Sequence, residues 1–320
     1  MEKTAVLLAN LGTPEAPTPQ AVRRYLAQFL SDRRVIDLPR WKWWPILHGI
    51  ILRVRPKRSA LLYKQVWTAA GSPLLRHCVA QRDALRARFN EENLRIELGM
   101  SYGEPSLAAL LDDLHLWGVR RLLILPLYPQ YSSTTVAPIW DSVAKAFAHW
   151  KDVPELTFIR DYAEHPLYIN ALSNRIADSF ATCGRPDHLV LSYHGIPQSY
   201  ADSGDDYAQR CGATTAALRD KLDVTTLACY QSKFGRDAWL TPATTDTLVQ
   251  LAKQGARRIA VMAPAFTADC LETLQELDIE NREAFCCAGG QQFHYIPALN
   301  DSPLFIDCLE AIVRERLLIR

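Results

Sequence analysis

The chain has 320 residues, of which 48% are apolar and 22% are charged, and its formal net charge is +1. This balance is typical of a folded globular protein with one large or two medium domains, and it excludes a disordered tail or a fibrous repeat. A net charge near zero points to no particular class of partner, and we expect no nucleic acid partner. The eight cysteines are scattered without a Cys-x-x-Cys pair, so they predict neither a disulfide framework nor a zinc ribbon.

The chain starts with Met1-Glu2-Lys3 and passes directly into an apolar run of strand length. A secretory leader would show a basic start, a longer apolar core and a small-residue cleavage site, and none of these is present. We therefore expect a cytoplasmic protein with reduced thiols.

Residues 41–52 form the most apolar segment that is expected to be exposed, and a basic stretch surrounds them. Between Leu38 and Arg82 there are nine Arg or Lys residues and no Asp or Glu. The segment is too short to span a bilayer, which needs about 20 apolar residues. It is either a helix buried beneath a loop or a segment that lies on a membrane surface, where tryptophans and flanking basic side chains are typical. Exposure of Trp43 and Trp44 would favour the membrane interpretation.

Four short apolar runs alternate with longer amphipathic stretches, a pattern typical of buried parallel strands separated by helices. The runs are residues 6–9, 122–125, 189–193 and 259–262. Each is followed by a polar loop and then a helix, so we predict an α/β fold of two similar Rossmann-like lobes, each a parallel sheet flanked by helices. The first lobe is predicted at 1–158 and the second at 159–302, with a C-terminal helix at 303–320 packing back on the first. Ligands bind beyond the carboxyl ends of parallel strands, which predicts an active-site cleft between the lobes.

His194 follows the third apolar run and should emerge at the carboxyl edge of its sheet, with Gly195 allowing the backbone to turn beside it. On pattern alone this imidazole is either a helix-capping side chain or a ligand or base. Glu272, Glu276 and Glu280 are spaced four apart, on one face of a helix. Such a row is either a solvated face or a conduit for protons or hydrated cations. Because imidazole and carboxylate both suit a divalent first-row metal, the combination predicts a metal or proton-transfer site.

Five motifs, in order, resemble those of the ferrochelatases, and together they cover almost the whole chain. They are Leu8-Ala-Asn-Leu-Gly-Thr-Pro14, Tyr128-Pro-Gln-Tyr-Ser-Ser-Thr-Thr135, Ser192-Tyr-His-Gly-Ile-Pro197, Gln231-Ser-Lys-Phe-Gly235 followed by Trp239-Leu240, and Asp269-Cys-Leu-Glu-Thr-Leu274. The sequence is similar to the bacterial enzymes in particular. The resemblance implies a lyase that inserts Fe2+ into protoporphyrin IX to give protohaem, the last step of haem biosynthesis.

The resemblance also implies roles for single positions. His194 would be the imidazole that faces the porphyrin centre and the metal, and Glu272 would be its acidic partner in catalysis and metal binding. Glu276, Glu280 and Asp269 would continue a proton or metal path. The residues implied to line the porphyrin pocket are Leu11, Arg55, Tyr63, Ser72, Tyr102, Tyr128, Ser232 and Trp239.

Some ferrochelatases hold an iron–sulfur cluster, largely through cysteines of a C-terminal extension. This sequence ends at Arg320 and has Ser133 where a cluster cysteine lies in that form. We therefore expect no cluster and no cofactor beyond the substrate Fe2+. The expected partners are protoporphyrin IX and Fe2+, and the chain is expected to be a monomer with peripheral contact at the inner face of the cytoplasmic membrane.

Three other interpretations are open. A chelatase for another metal or porphyrin, such as coproporphyrin, would carry much the same motifs. A non-catalytic haem or porphyrin carrier would share the two-lobed cleft, but it would need no proton path and thus no carboxylate row. A bilobal solute-binding protein is disfavoured because it would normally have an export leader.

Overall fold

The computed structural model describes residues 2–235 and 237–317. Strands and helices alternate along the chain, and the strands form two parallel sheets of four strands each. This confirms the predicted α/β class with two similar lobes. Within the described residues the chain divides into one unit of residues 2–128, 132–160 and 309–317 and a second unit of residues 129–131 and 161–308.

The first unit is built around β1, which is buried along most of its length and lies between two parallel partners. The strand order is β2-β1-β3-β4. The strands are β1 (Thr4–Gly12), β2 (Leu94–Tyr102), β3 (Arg121–Pro126) and β4 (Glu155–Phe158). The helical segments are α1 (Pro19–Phe29), α2 (Arg40–Ile46), π1 (Leu47–Ile51), α3 (Leu52–Val66), α4 (Pro73–Arg86), α5 (Leu107–Trp117) and α6 (Val136–Phe147).

Alternation along β1 decides which face of the sheet receives helices α5 and α6. Ala5, Leu7 and Ala9 point to the same face and belong to one buried cluster with apolar residues of both helices. In α5 the contributing residues are Leu107, Leu111 and Leu114, which are spaced to share one helix face.

Gly12 lets the carboxyl ends of β1 and β2 approach closely. Its φ is +109°, and a Cβ built there would lie 1.7 Å from the carbonyl oxygen of Tyr102. Only glycine fits this backbone, because any side chain would meet a main-chain atom that cannot move away. The glycine of the first motif therefore fixes the end of the central strand.

The second unit repeats this topology, with the strand order β6-β5-β7-β8. The strands are β5 (His188–His194), β6 (Thr226–Gln231), β7 (Arg258–Met262) and β8 (Gln292–Tyr295). The helical segments are α7 (Pro166–Cys183), α8 (Gln198–Asp202), α9 (Tyr207–Arg219), α10 (Thr244–Lys253), π2 (Glu272–Asn281), α11 (Arg282–Cys287) and α12 (Pro303–Leu317), the last of which continues from the second unit into the residues of the first. Residues 318–320, included in the predicted C-terminal helix, lie outside the described part.

The four apolar runs of the sequence all lie in strands, in β1, β3, β5 and β7. These four strands are the inner strands of the two sheets, where burial on both faces produces continuous apolar sequence. The edge strands β2, β6 and β8 were not among the predicted runs.

The segment from α2 through π1 to α3 exposes several large apolar side chains. Trp41 is 75% exposed and Trp44 is 44% exposed, whereas Trp43 is 8% exposed and its indole Nε1 donates to the Leu30 carbonyl at 2.6 Å. One of the two tryptophans that would test the membrane interpretation is thus exposed, and the other anchors the segment. Further exposed apolar residues in this segment are Ile46, Ile50, Val54 and Leu61, and exposed Leu38 lies just before α2. Among the described helices, none is both long and apolar enough to cross a bilayer.

Candidate active site

The carboxyl edge of the second sheet gathers the catalytic residues that the sequence predicts. His194 is the last residue of β5 and pairs in register with Gln231, the last residue of β6. The loop after β7 leads into π2, whose first residue is Glu272. Gln231 and Ser232, at the end of β6, connect this edge to π2 through hydrogen bonds to Glu272 and Glu276.

His194 is half-buried and held in one tautomer. Its Nδ1 lies 2.6 Å from the carbonyl oxygen of Gly195. Because a carbonyl oxygen only accepts hydrogen bonds, Nδ1 must carry the proton of the neutral ring. The lone pair is then on Nε2, which is the atom available to take a proton or bind a metal ion.

Gly195 permits the turn that follows His194. A Cβ at this position would lie 2.9 Å from the carbonyl oxygen of Gln231 and 3.1 Å from Cε3 of Trp239. The Gly195 N–H donates to that same carbonyl at 2.8 Å. The absence of a side chain therefore brings the Trp239 ring, a predicted porphyrin contact, against the turn that carries His194.

The carboxylate row lies on a π-helix rather than the α-helix that is the usual form of such a segment. In π2, residues five apart come together: Gln275 Nε2 donates to Glu280 Oε1 at 2.9 Å, and Asn281 Nδ2 donates to the Glu276 carbonyl at 2.9 Å. Glu272 and Glu276 are half-buried and Glu280 is exposed. The row thus runs from a partly buried end to solvent, and π-helical turns are frequent at functional sites.

Glu276 is the most strongly held of the three carboxylates. Ser232 donates to it twice, from its N–H to Oε1 at 2.7 Å and from its Oγ to Oε2 at 2.5 Å. Burial raises the pKa of the Glu276 carboxyl, the bonds from Ser232 and the charge of His194 oppose that rise, and neighbouring Glu272 adds to it. Burial is the largest of these influences, so the pKa of Glu276 lies above the usual value for a glutamate.

Ser232 adopts a φ of +66°, a left-handed conformation that is uncommon for residues other than glycine. A non-glycine residue in this region costs on the order of 1 kcal/mol or more. Each hydrogen bond to a charged group contributes about 1.5–3 kcal/mol. The two bonds to Glu276 therefore offset the backbone strain.

Asp269 precedes π2 and is buried among neutral hydrogen-bond donors. Its Oδ1 accepts from Thr273 Oγ1 at 3.0 Å, Tyr295 OH at 2.5 Å and the Ala298 N–H at 3.3 Å, and its Oδ2 accepts from Asn300 Nδ2 at 2.8 Å. Both oxygens are thus engaged in fixing the start of π2. The resemblance implies that Asp269 belongs to a proton or metal path, and that assignment stays a prediction.

Six of the eight implied porphyrin-lining residues lie in the first unit, and Ser232 and Trp239 lie in the second. Arg55 is exposed and Leu11 and Tyr128 are half-buried. The remaining three, Tyr63, Ser72 and Tyr102, are buried.

Two of these buried residues have hydrogen-bond partners within the first unit. The Tyr102 hydroxyl donates to Asp32 Oδ2 at 2.8 Å, and Thr13 Oγ1 donates to Ser72 Oγ at 2.9 Å. Burial, with the charge of Asp32, raises the pKa of Tyr102 well above its usual value. A contact between either hydroxyl and a ligand would therefore have to compete with an existing bond.

Sequence reasoning did not identify the polar residues that support the site. Ser192 in β5 donates to Gln231 Oε1 at 2.9 Å and lies 2.8 Å from Thr244 Oγ1. Ser192 lies inside a predicted strand. A hydroxyl side chain within an otherwise apolar run was the feature of the sequence that could have indicated a buried hydrogen bond. Among residues 2–235 and 237–317, no three His, Cys, Asp or Glu side chains form a group that could hold a metal ion.

Comparison with known proteins identifies the family. The sequence model of Ferrochelatase matches residues 3–317. The chain belongs to the ferrochelatase family. Members of this family insert a metal ion into a porphyrin, a reaction of the lyase class, which confirms the enzyme class predicted from the motifs.

Two curated relatives of the ferrochelatase family match nearly end to end. Coproporphyrin III ferrochelatase of Symbiobacterium thermophilum is 58% identical over 318 residues, which is 99% of both chains. Ferrochelatase of Pectobacterium atrosepticum is 56% identical over 315 residues, which is 98% of both chains. The first name specifies a porphyrin and the second does not.

Among solved structures, SirB from Bacillus subtilis with Fe3+ has the same fold. The two superpose with a TM-score of 0.61 at 12% identity, over 98% of this chain and 95% of that one. The ferrochelatase motifs therefore lie on an architecture shared with a distant chelatase.

Proposed function

We propose that this chain inserts Fe2+ into protoporphyrin IX to give protohaem. The observation that carries the proposal is the carboxyl edge of the second sheet, where the Nε2 of His194 is left free to act as a base or ligand beside a turn bonded to Glu272 and Glu276. Metal insertion exchanges two pyrrole protons for one divalent cation. The site needs a proton acceptor and a route for the ion, and these residue types supply both.

In this proposal His194 Nε2 accepts the two pyrrole protons one after the other, passing the first on before it takes the second. The bond from Nδ1 to the Gly195 carbonyl keeps the ring in the tautomer that can accept, and it also stabilises the imidazolium that forms. Glu272 then takes the proton onward or holds the incoming Fe2+. Glu276 and the exposed Glu280 connect Glu272 with solvent along π2.

Protoporphyrin IX is proposed as the substrate because most residues proposed to line the porphyrin pocket are apolar or aromatic. Leu11, Tyr63, Tyr102, Tyr128 and Trp239 are apolar or aromatic, which suits a macrocycle with two vinyl groups and two propionates. Coproporphyrin III has four propionates and would need more cationic partners than Arg55. It is the second candidate, because a relative at 58% identity is named for it.

The test is an anaerobic metal-insertion assay with Fe2+ and each porphyrin, followed by the loss of porphyrin fluorescence. We expect turnover with both and a kcat/KM at least about tenfold higher for protoporphyrin IX, equivalent to ~1.4 kcal/mol of differential transition-state binding. A preference for coproporphyrin III would replace the proposed substrate. Porphyrin binding without metal insertion would support a carrier instead.

We also propose that the segment from α2 to α3 contacts the inner face of the cytoplasmic membrane. Exposed tryptophans and aliphatic side chains lie within the stretch that has nine basic and no acidic residues. Apolar insertion and attraction to anionic headgroups reinforce each other on such a surface. An apolar porphyrin would then enter and leave near the bilayer.

This proposal predicts that the chain floats with liposomes that contain anionic lipid, and less with neutral ones. Replacing Trp41 and Trp44 together with serine should reduce the bound fraction several-fold, because both side chains are exposed and apolar. The matched control is Trp140→Ser, since Trp140 is 47% exposed but lies on α6 outside the basic stretch. Equal binding of the double variant and wild type would contradict the proposal.

We further propose that the enzyme is active as a monomer without an iron–sulfur cluster. Ser133 supplies no thiolate at the cluster position, and buried thiols such as Cys78 are poor sources of one, since burial raises the pKa of Cys78 to about 12. Acid-labile sulfide in stoichiometric amount in the purified, active protein would refute this.

A further inference from the structure

Two adjacent residues at the end of β6 are bonded to π2 by different groups. Gln231 Nε2 donates to the main-chain carbonyl of Glu272 at 3.1 Å, while its Oε1 accepts from Ser192 on β5. Ser232 donates its N–H and its hydroxyl to the two oxygens of the Glu276 carboxylate. One turn therefore holds both the start of the carboxylate row and its middle member.

The turn is also bonded to the strand that carries His194. The Gly195 N–H donates to the Gln231 carbonyl at 2.8 Å, and His194 is in register with Gln231 across the sheet. Shifting the turn would move the backbone beside His194 and the carboxylates of π2 together. The geometry of imidazole and carboxylates thus depends on these two residues.

We propose that the Gln231-Ser232 turn is a positioning element, in which Ser232 sets the orientation of Glu276 and Gln231 sets that of Glu272 relative to His194. This inference rests on the proposed function, because it assigns these residues to the same reaction. It also gives Ser232 a role different from the porphyrin contact that the resemblance implies.

The hydrogen-bond inventory of Ser232 supports the positioning role. A serine hydroxyl has a single hydrogen, and here it is donated to Glu276 Oε2. It is therefore not available to donate to a propionate. The left-handed backbone of Ser232 is what aims the N–H and the hydroxyl at the same carboxylate, and strain of this kind is found where a functional arrangement requires it.

The experiment is a double-mutant cycle of Ser232→Ala, Glu276→Gln and the double variant, with steady-state metal insertion as the readout. We expect each single variant to lower kcat about tenfold or more, the double variant to be no worse than the poorer single one, and KM for the porphyrin to stay within about twofold. Ser203→Ala, an exposed serine of the same unit, is the control and should behave as wild type.

A second variant separates positioning from stability. Ser232→Gly removes the hydroxyl but relieves the positive φ, so its thermal unfolding temperature should equal or exceed that of Ser232→Ala while kcat falls by a similar factor. Loss of kcat in proportion to loss of stability would overturn the inference in favour of a structural role.

The remaining outcomes distinguish the inference from the proposed function. A raised KM with unchanged kcat in Ser232→Ala would make Ser232 a porphyrin contact and overturn the inference. If the losses of kcat multiply in the double variant, Ser232 and Glu276 act independently. That result would also overturn the inference. Wild type that metallates no porphyrin would overturn the proposed function and the inference together, whereas active wild type with an uncoupled cycle overturns the inference alone.

Discussion

Replacing His194 with alanine should lower kcat for metal insertion by about 1000-fold and leave porphyrin affinity within about threefold of wild type. The variant loses the Nε2 lone pair, and general-base catalysis of this kind contributes about 10²–10⁴-fold. Among the described residues the half-buried imidazole is hydrogen-bonded to the Gly195 carbonyl and lies beside the Phe266 ring, so its removal should disturb packing little. Anaerobic turnover and fluorescence titration of porphyrin binding measure the two quantities separately.

The control for this variant is His149→Ala, which changes an exposed histidine after α6 and should leave both quantities unchanged. Added imidazole should restore part of the activity of His194→Ala, since it can occupy the space and accept a proton. Turnover close to that of wild type, or a loss of porphyrin binding as large as the loss of turnover, would show that His194 is a packing residue.

Replacing Glu272 with glutamine should lower kcat about 100-fold and raise KM for Fe2+. The amide keeps the size of the side chain, and the main-chain carbonyl that accepts from Gln231 is untouched, so the fold of π2 should persist. What is lost is a negative charge that can take a proton or hold a divalent cation. Steady-state kinetics with Fe2+ varied at saturating porphyrin measure both effects.

Glu283→Gln is the matched control, because Glu283 is an exposed glutamate on α11 directly after π2. It should be as active as wild type. If Glu272→Gln is also as active while Glu276→Gln is nearly inactive, the carboxylate that serves His194 is Glu276, and the assignment of Glu272 is wrong.

The fold class was predictable because burial on both faces gives inner strands continuous apolar sequence. The runs in β1, β3, β5 and β7 all show this, and the helices between them require parallel connections. The same reasoning placed His194 at a carboxyl edge. The edge strand β6, whose end carries Gln231, was not among the predicted runs, and only four apolar residues lie between its polar ends, Thr226 and Gln231.

The π-helical form of the carboxylate row was not predictable from spacing. A separation of four residues fits a helix face in general, whereas the type of helix is set by main-chain hydrogen bonds, which connect residues five apart in a π-helix. In π2 the side chains of Gln275 and Asn281 also bond to residues five positions away. Nothing in the amphipathic pattern distinguishes this form of helix from the α-helical one.

The hydrogen bonds that support the site could likewise not be predicted from the sequence. In the sequence Asp269 is an acidic residue three positions before Glu272, yet its oxygens are engaged by Thr273, Tyr295 and Asn300. Two of these partners follow it in the chain by more than 20 residues. The sequence alone does not distinguish a carboxylate that transports ions from one that fixes a loop, because the difference lies in the residues that surround each carboxylate in space.

The central position of β1 has a consequence for synthesis of the chain on the ribosome. This strand emerges first, almost wholly apolar, while its two partners, β2 and β3, are made much later. Until they emerge, the strand has no sheet to join and exposes both edges and both faces. The nascent chain should therefore depend on holding chaperones until β2 and β3 have emerged, and the first unit is complete only after residues 309–317 have been made.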